Sequence, residues 1–101
     1  MELHTTHPFV GRHVIARCSG AGVHAGTLAA VGNDGTCVIL KNARRLWKWH
    51  AKDGVALSGV AFHGIVPEDS ILDTQVPEIY LTGVVELIPT TPEAESSING
   101  A

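Results

Sequence analysis

Within eight positions, Asn42-Ala43-Arg44-Arg45-Leu46-Trp47-Lys48-Trp49 gathers both tryptophans and two of the four arginines of a 101-residue chain. Guanidinium groups make forked hydrogen bonds to phosphate, and indole faces stack on nucleobases. Together these side chains are the equipment of a nucleotide pocket. Read as a strand, the segment alternates its side chains, so Arg45, Trp47 and Trp49 share one face while Arg44, Leu46 and Lys48 share the other. Only one of the two arginines then points into an anion site. Arg45 is the expected one, because its face also carries the stacking surface. The competing expectation makes that face core, with Arg44 and Lys48 lining the site, since a small domain also uses tryptophan as core filling.

Upstream, Gly20-Ala21-Gly22-Val23-His24-Ala25-Gly26 can bring backbone N–H groups close to a phosphate, as glycine-rich loops do, or can simply be a turn. It lacks the Lys-Ser/Thr ending of a P-loop and the spacing of a dinucleotide fingerprint. Gly22 and His24 are its candidate ligand contacts, with His50 a further one because it follows Trp49. Six histidines invite a metal, yet His4, His7, His13, His24, His50 and His63 show none of the paired spacing of a zinc motif, so no metal and no cofactor is expected. Cys18 and Cys37 have no Cys-x-x-Cys spacing and read as reduced, packed thiols. With no Gly-x-Ser-x-Gly elbow and no cysteine beside a histidine, the chain carries no assembled catalytic motif and is expected to bind rather than catalyse.

The elements that must position these residues are short strands. Arg12 to Cys18 and Val23 to Val31 alternate loosely and are rich in β-branched residues. Gly32-Asn33-Asp34-Gly35 is a strong hairpin turn that returns the chain as Thr36 to Lys41. Arg44 to Trp49 is read as a fourth strand, and Val55 to Ile65 as either a strand or a short helix interrupted by Gly59. Ser70 to Gln75 and Glu78 to Ile88 are two more strands, with Pro77 between them marking a turn or an edge. Thr91-Pro92-Glu93 starts a short, frayed helix, with a cap, a first-position proline and first-turn carboxylates. The expected fold is mainly β, a small antiparallel barrel or sandwich with a short C-terminal helix. Residues 1–10 are expected as a flexible tail and 11–101 as a single β-rich domain.

Charge is unevenly distributed. All seven Lys and Arg lie at or before Lys52, where only Glu2 and Asp34 oppose them, and residues 53–101 hold eight carboxylates and no Lys or Arg. A cationic strip on a chain of net charge -3 suits a compact anion better than polymeric nucleic acid, which the acidic remainder repels. The two halves can also satisfy one another, within a chain or between subunits, and a homo-oligomer is expected on that ground. No apolar run approaches the roughly 18 residues of a membrane helix, and the first residues lack a signal-peptide pattern, so a cytoplasmic protein is expected.

Gly22-Val23-His24-Ala25-Gly26-Thr27-Leu28, the Ala43-Arg44-Arg45-x-Trp47-x-Trp49 core, Val76-Pro77-Glu78-Ile79-Tyr80-Leu81 and Val85-Glu86-Leu87-Ile88-Pro89 resemble a family of short phage and prophage proteins of unknown function. The resemblance covers roughly residues 12–98. It implies a phage protein acting in the host bacterial cytoplasm, and small phage proteins of this kind resemble sponges that sequester nucleotide signals of bacterial immunity. The expected function is accordingly an anti-defence protein that binds a cyclic nucleotide or ADP-ribose derivative without cleaving it. A protein-interaction module is the runner-up, whether inhibitor of a host protein or minor assembly factor, and a histidine-based phosphodiesterase comes third.

Overall fold

Residues 3–32, 34–54 and 56–101 are described by a computed structural model of the chain. Among them, seven strands form one antiparallel sheet: β1 (Leu3–His4), β2 (His13–Cys18), β3 (Gly22–Gly32), β4 (Val38–Lys48), β5 (Ile71–Leu72), β6 (Val76–Leu81) and β7 (Val84–Pro89). Two α-helices, α1 (Leu57–His63) and α2 (Pro92–Asn99), and a single 3-10 turn over Pro67–Asp69 complete the described fold. The mainly β, antiparallel expectation and the C-terminal helix are both realised.

Strand order is β5-β4-β3-β2-β7, with β1 added beside β3 and β6 beside β4. β6 and β7 therefore bond to opposite sides of the sheet, yet only Thr82 and Gly83 separate them in the chain. The sheet must roll until these edges meet at one corner, where the Ser19 N–H donates to the Gly83 carbonyl and the Val84 N–H to the Thr36 carbonyl, both at 2.9 Å. It remains unclosed. The inner face of the roll is packed with Val14, Ala16, Leu28, Val38, Leu40 and Val84. On the outer face, Ile15, Ala25 and Leu46 pack under the helices against Leu57, Val60 and Ile98. Alternation along β2 decides this split, since Val14 and Ala16 point one way and Ile15 the other.

Several elements differ from the sequence expectation, each for an identifiable reason. The strands expected at Thr36–Lys41 and Arg44–Trp49 are one continuous β4, because Asn42 turns through positive φ (52°) and absorbs an irregularity in the β3–β4 register without breaking the strand. Pro77 marks an edge rather than a turn: it lies inside β6, which among the described residues has β4 as its only strand partner, so its missing N–H is tolerated. The strand expected over Glu78–Ile88 breaks at Gly83, which has φ +70°. Of Ser70–Gln75, only Ile71 and Leu72 pair. The ambiguous stretch after Asp53 is helix α1, and Val55, its first expected residue, lies outside the described residues. Gly59 sits inside that helix because the Asp53–Gly54 backbone crosses it: a Cβ there would stand 2.6 Å from the Asp53 carbonyl oxygen. In the hairpin turn, Asn33 is likewise outside the described residues, while the Gly35 N–H returns to the Gly32 carbonyl at 3.0 Å.

The segment expected as a flexible tail joins the sheet. Leu3 and His4 pair with Gly32 and Val31, and Phe9 and Val10 pack against the inner core, which gives residues 3–10 apolar anchors that their His/Thr-rich composition hides. α2 is docked rather than frayed: Thr91 caps it by accepting from the Ala94 N–H (3.1 Å), and Ala94 and Ile98 are fully buried.

Candidate functional site

The fold engages most of the cationic strip. Arg17 pairs with Glu86 (3.0 Å), Lys41 with Glu78 (2.6 Å) and Lys52 with Glu93 (3.5 Å), each joining the basic front of the chain to its acidic back. The charge complementarity read from the sequence is thus met in part within one chain. Arg12 lies over the Phe9 ring, 5.5 Å from its centroid. Arg44 donates from Nε to the Asp73 carbonyl (2.9 Å) and from one terminal nitrogen to the carbonyls of Ile98 (2.9 Å) and Ala101 (2.6 Å). It therefore caps the C-terminal end of α2, where free carbonyls and the helix dipole favour a cation.

Two basic side chains are left over. Among the described residues, neither Arg45 nor Lys48 has a hydrogen-bond or ion-pair partner, and the Arg45 Nε is buried in that condition. Arg44 and Arg45 face opposite ways, as alternation required, and Arg44 is the one spent on the fold.

Arg45 borders two small clefts. The first, about 230 Å³, is lined by Gly20, Ala21, Gly22, Val23, Leu46 and Trp47 in addition to Arg45. The second, about 160 Å³, is lined by His24, Ala43, Asp73, Thr74, Val76 and Ile79 together with Arg45. Trp47 stands at the first with 68% of its surface exposed. β3 and β4 bring these parts together, because His24 pairs with Arg45 and Val23 with Leu46 in their register. His24 is 1% exposed, and its Nε2 lies 2.8 Å from the Ala21 carbonyl, which ties the glycine turn to the strand below it. Burial lowers the His24 pKa; the Ala21 contact opposes that and the nearby Arg45 charge reinforces it.

Of the residues singled out in the sequence, Gly22, Arg45 and Trp47 meet in one cleft and His24 lines the adjoining one. Trp49 is elsewhere: β4 ends at Lys48 and its pairing with β5 is irregular between Leu46 and Lys48, so alternation lapses and Trp49 packs with the cluster under the helices. Arg44 and Lys48 line neither cleft. Asp73, Thr74, Val76 and Ile79 were missed. They reach Arg45 only because β5 and β6 pair end to end along β4, with their connection running beside Arg44 and Arg45, and no local pattern ties them to it. A cleft of about 370 Å³ at the other end of β3 is lined by His4, Thr6, His7 and Asp34 but by no described Lys or Arg, so it does not suit an anion.

Among the described residues, no group of three or more His, Cys, Asp or Glu could hold a metal. Cys18 and Cys37 are free and buried, and burial pushes the Cys18 thiol up, the reverse of an activated nucleophile. No helix among them is long and apolar enough to cross a membrane.

His13 has a structural setting of its own. The Thr90 hydroxyl donates to the His13 carbonyl (3.1 Å), so in the 2.6 Å contact between that hydroxyl and His13 Nδ1 the ring nitrogen donates. This leaves Nε2 as a buried acceptor without a partner. Burial lowers the His13 pKa, against a smaller raising effect of Glu95. Both buried histidines therefore fold neutral. Their stabilisation is complete above the ordinary histidine pKa of about 6.5 and is lost as pH falls through their lower folded values. Thermal melts from pH 7.5 to 5 should show stability declining from about pH 6.5 downward, with a shallower decline in His13→Gln. Superimposable profiles for the two proteins would remove His13 from this account.

The family described as Domain of unknown function (DUF6948) matches residues 11–98, and the chain belongs to it. No curated protein and no solved structure matches the chain.

Proposed function

We propose that this member of the family binds a phosphate-bearing nucleotide at the clefts beside Arg45 and holds it without cleaving it. The observation that carries the reading is Arg45 itself, a half-buried side chain whose Nε has no partner among the described residues, set between the Gly20–Gly22 turn and an exposed tryptophan. A buried donor without a partner costs free energy in the empty protein, and a phosphate oxygen offsets that cost. Trp47 offers a base one open indole face, and the glycine turn lets backbone come close. Each cleft alone is smaller than the roughly 300 Å³ of typical ligand pockets, so a nucleotide would extend across both, with its base lying openly on Trp47. By resemblance to short phage proteins, the ligand class is a nucleotide signal of host immunity, and the role is sequestration.

The runner-up, a protein-interaction module, draws support from the exposure of Trp47 and Ile71 on neighbouring strands. One experiment separates the readings. The protein is purified from cells with active nucleotide-based immunity and heat-denatured, and the released small molecules are identified by mass spectrometry. An intact nucleotide is the expected result. A turned-over product would instead favour hydrolysis, and an empty supernatant with a co-purifying host protein would favour the interaction module.

A further inference from the structure

The polarity of the two clefts restricts what the phosphate can be attached to. Ala43, Arg45 and Trp47 occupy alternate positions of β4 and border the two clefts between them, with Arg45 common to both. At roughly 3.3 Å per residue they span about 13 Å of strand, with the guanidinium in the middle. On the Trp47 side, the lining is glycine-turn backbone, Val23 and Leu46, a surface for a flat aromatic base. On the other side, the neutral His24, Asp73 and Thr74 supply the polar lining besides Arg45, with Ala43, Val76 and Ile79 apolar.

Asp73 matters most for specificity. Its carboxylate accepts from the Thr74 N–H (2.8 Å), and Arg44 binds its backbone carbonyl rather than its carboxylate, so among the described residues its charge has no ion-pair partner. A carboxylate beside the second cleft accepts from hydroxyl or amino groups and repels a second phosphate. Arg45 is the sole Lys or Arg in the described lining of either cleft, which leaves a polyphosphate chain no further cation.

We infer that the site takes a ligand presenting one phosphate at Arg45, with a base-bearing nucleoside on the Trp47 side and a hydroxyl-bearing group on the Asp73 side. A phosphodiester of the dinucleoside monophosphate type fits this description, and a nucleoside polyphosphate does not. The inference rests on the nucleotide reading above and names the ligand class for the same site.

Calorimetric titration of the intact protein with adenylyl-(3′→5′)-adenosine, guanylyl-(3′→5′)-guanosine, ATP and GTP tests it. The dinucleoside monophosphates are expected to bind about tenfold tighter than the triphosphates, a preference set by like-charge repulsion. Asp73→Asn, which keeps the acceptor for the Thr74 N–H but removes the charge, is expected to narrow the gap by improving triphosphate binding. Triphosphates that bind as well as or better than the phosphodiesters would overturn the inference while leaving the nucleotide reading in place. So would a gap that Asp73→Asn leaves unchanged. Binding of none of the four probes by the folded protein would overturn the inference, whereas the nucleotide reading itself falls only if the purified protein releases no nucleotide.

Discussion

Replacing Arg45 with alanine is expected to weaken nucleotide binding about ten- to a hundredfold while leaving the melting temperature nearly unchanged. The binding loss corresponds to roughly 1.5–3 kcal/mol, the usual worth of a hydrogen bond to a charged group. Stability should hold because Arg45 makes no hydrogen bond or ion pair with the described residues, and its removal relieves a buried Nε without a partner. Arg45→Lys keeps the charge but not the planar fork, so it should recover only part of the affinity. A second readout follows from the neighbouring histidine. The Arg45 charge contributes to the lowered pKa of His24, so His24 should titrate at higher pH in Arg45→Ala. Calorimetry with the nucleotide recovered from the purified protein, with ring-proton NMR across the titration, checks both. A folded variant that binds within twofold of the parent would take Arg45 out of the site.

Arg44→Ala should do the opposite, costing about 1.5–3 kcal/mol of stability, or a melting temperature lower by roughly 6–24 °C for a domain of this size. The guanidinium holds three carbonyls, those of Asp73, Ile98 and Ala101, and so joins β4 both to the end of α2 and to the segment before β6. Removing it strips α2 of the cation at its negative end and leaves those carbonyls to find water. Because Asp73 also lines the second cleft, a modest loss of binding should accompany the loss of stability. Thermal unfolding of the two alanine variants in parallel is the measurement. Equal melting temperatures would mean that the contacts at the end of α2 contribute nothing net.

The contrast between these adjacent arginines shows how far local sequence reaches. β-strand alternation alone is enough to set Arg44 and Arg45 on opposite faces, and it says nothing about which face a helix will cover. That depends on Ile98 and Ala101, more than fifty residues downstream, which dock where Ile15, Ala25 and Leu46 present an apolar surface. Trp49 illustrates the same limit. Its spacing from Arg45 and Trp47 is that of one strand face, yet the strand stops at Lys48 and burial under the helices takes the indole.

What the sequence determined by itself were features whose physics is contained within a few residues: the strand character of His13–Cys18, the turn chemistry at Gly32–Gly35, the capped start of α2 at Thr91 and Pro92, and the opposition of a basic front to an acidic back. Tertiary structure decided the continuity of β4 through Asn42, the helix over Leu57–His63, and the meeting of the glycine turn with Arg45 and Trp47. It also decided which cations the fold would use. Backbone propensity and turn geometry are local energies, whereas ion pairing, burial and cleft formation depend on which distant surfaces come into contact, and only the rolled sheet with its two helices supplies those contacts.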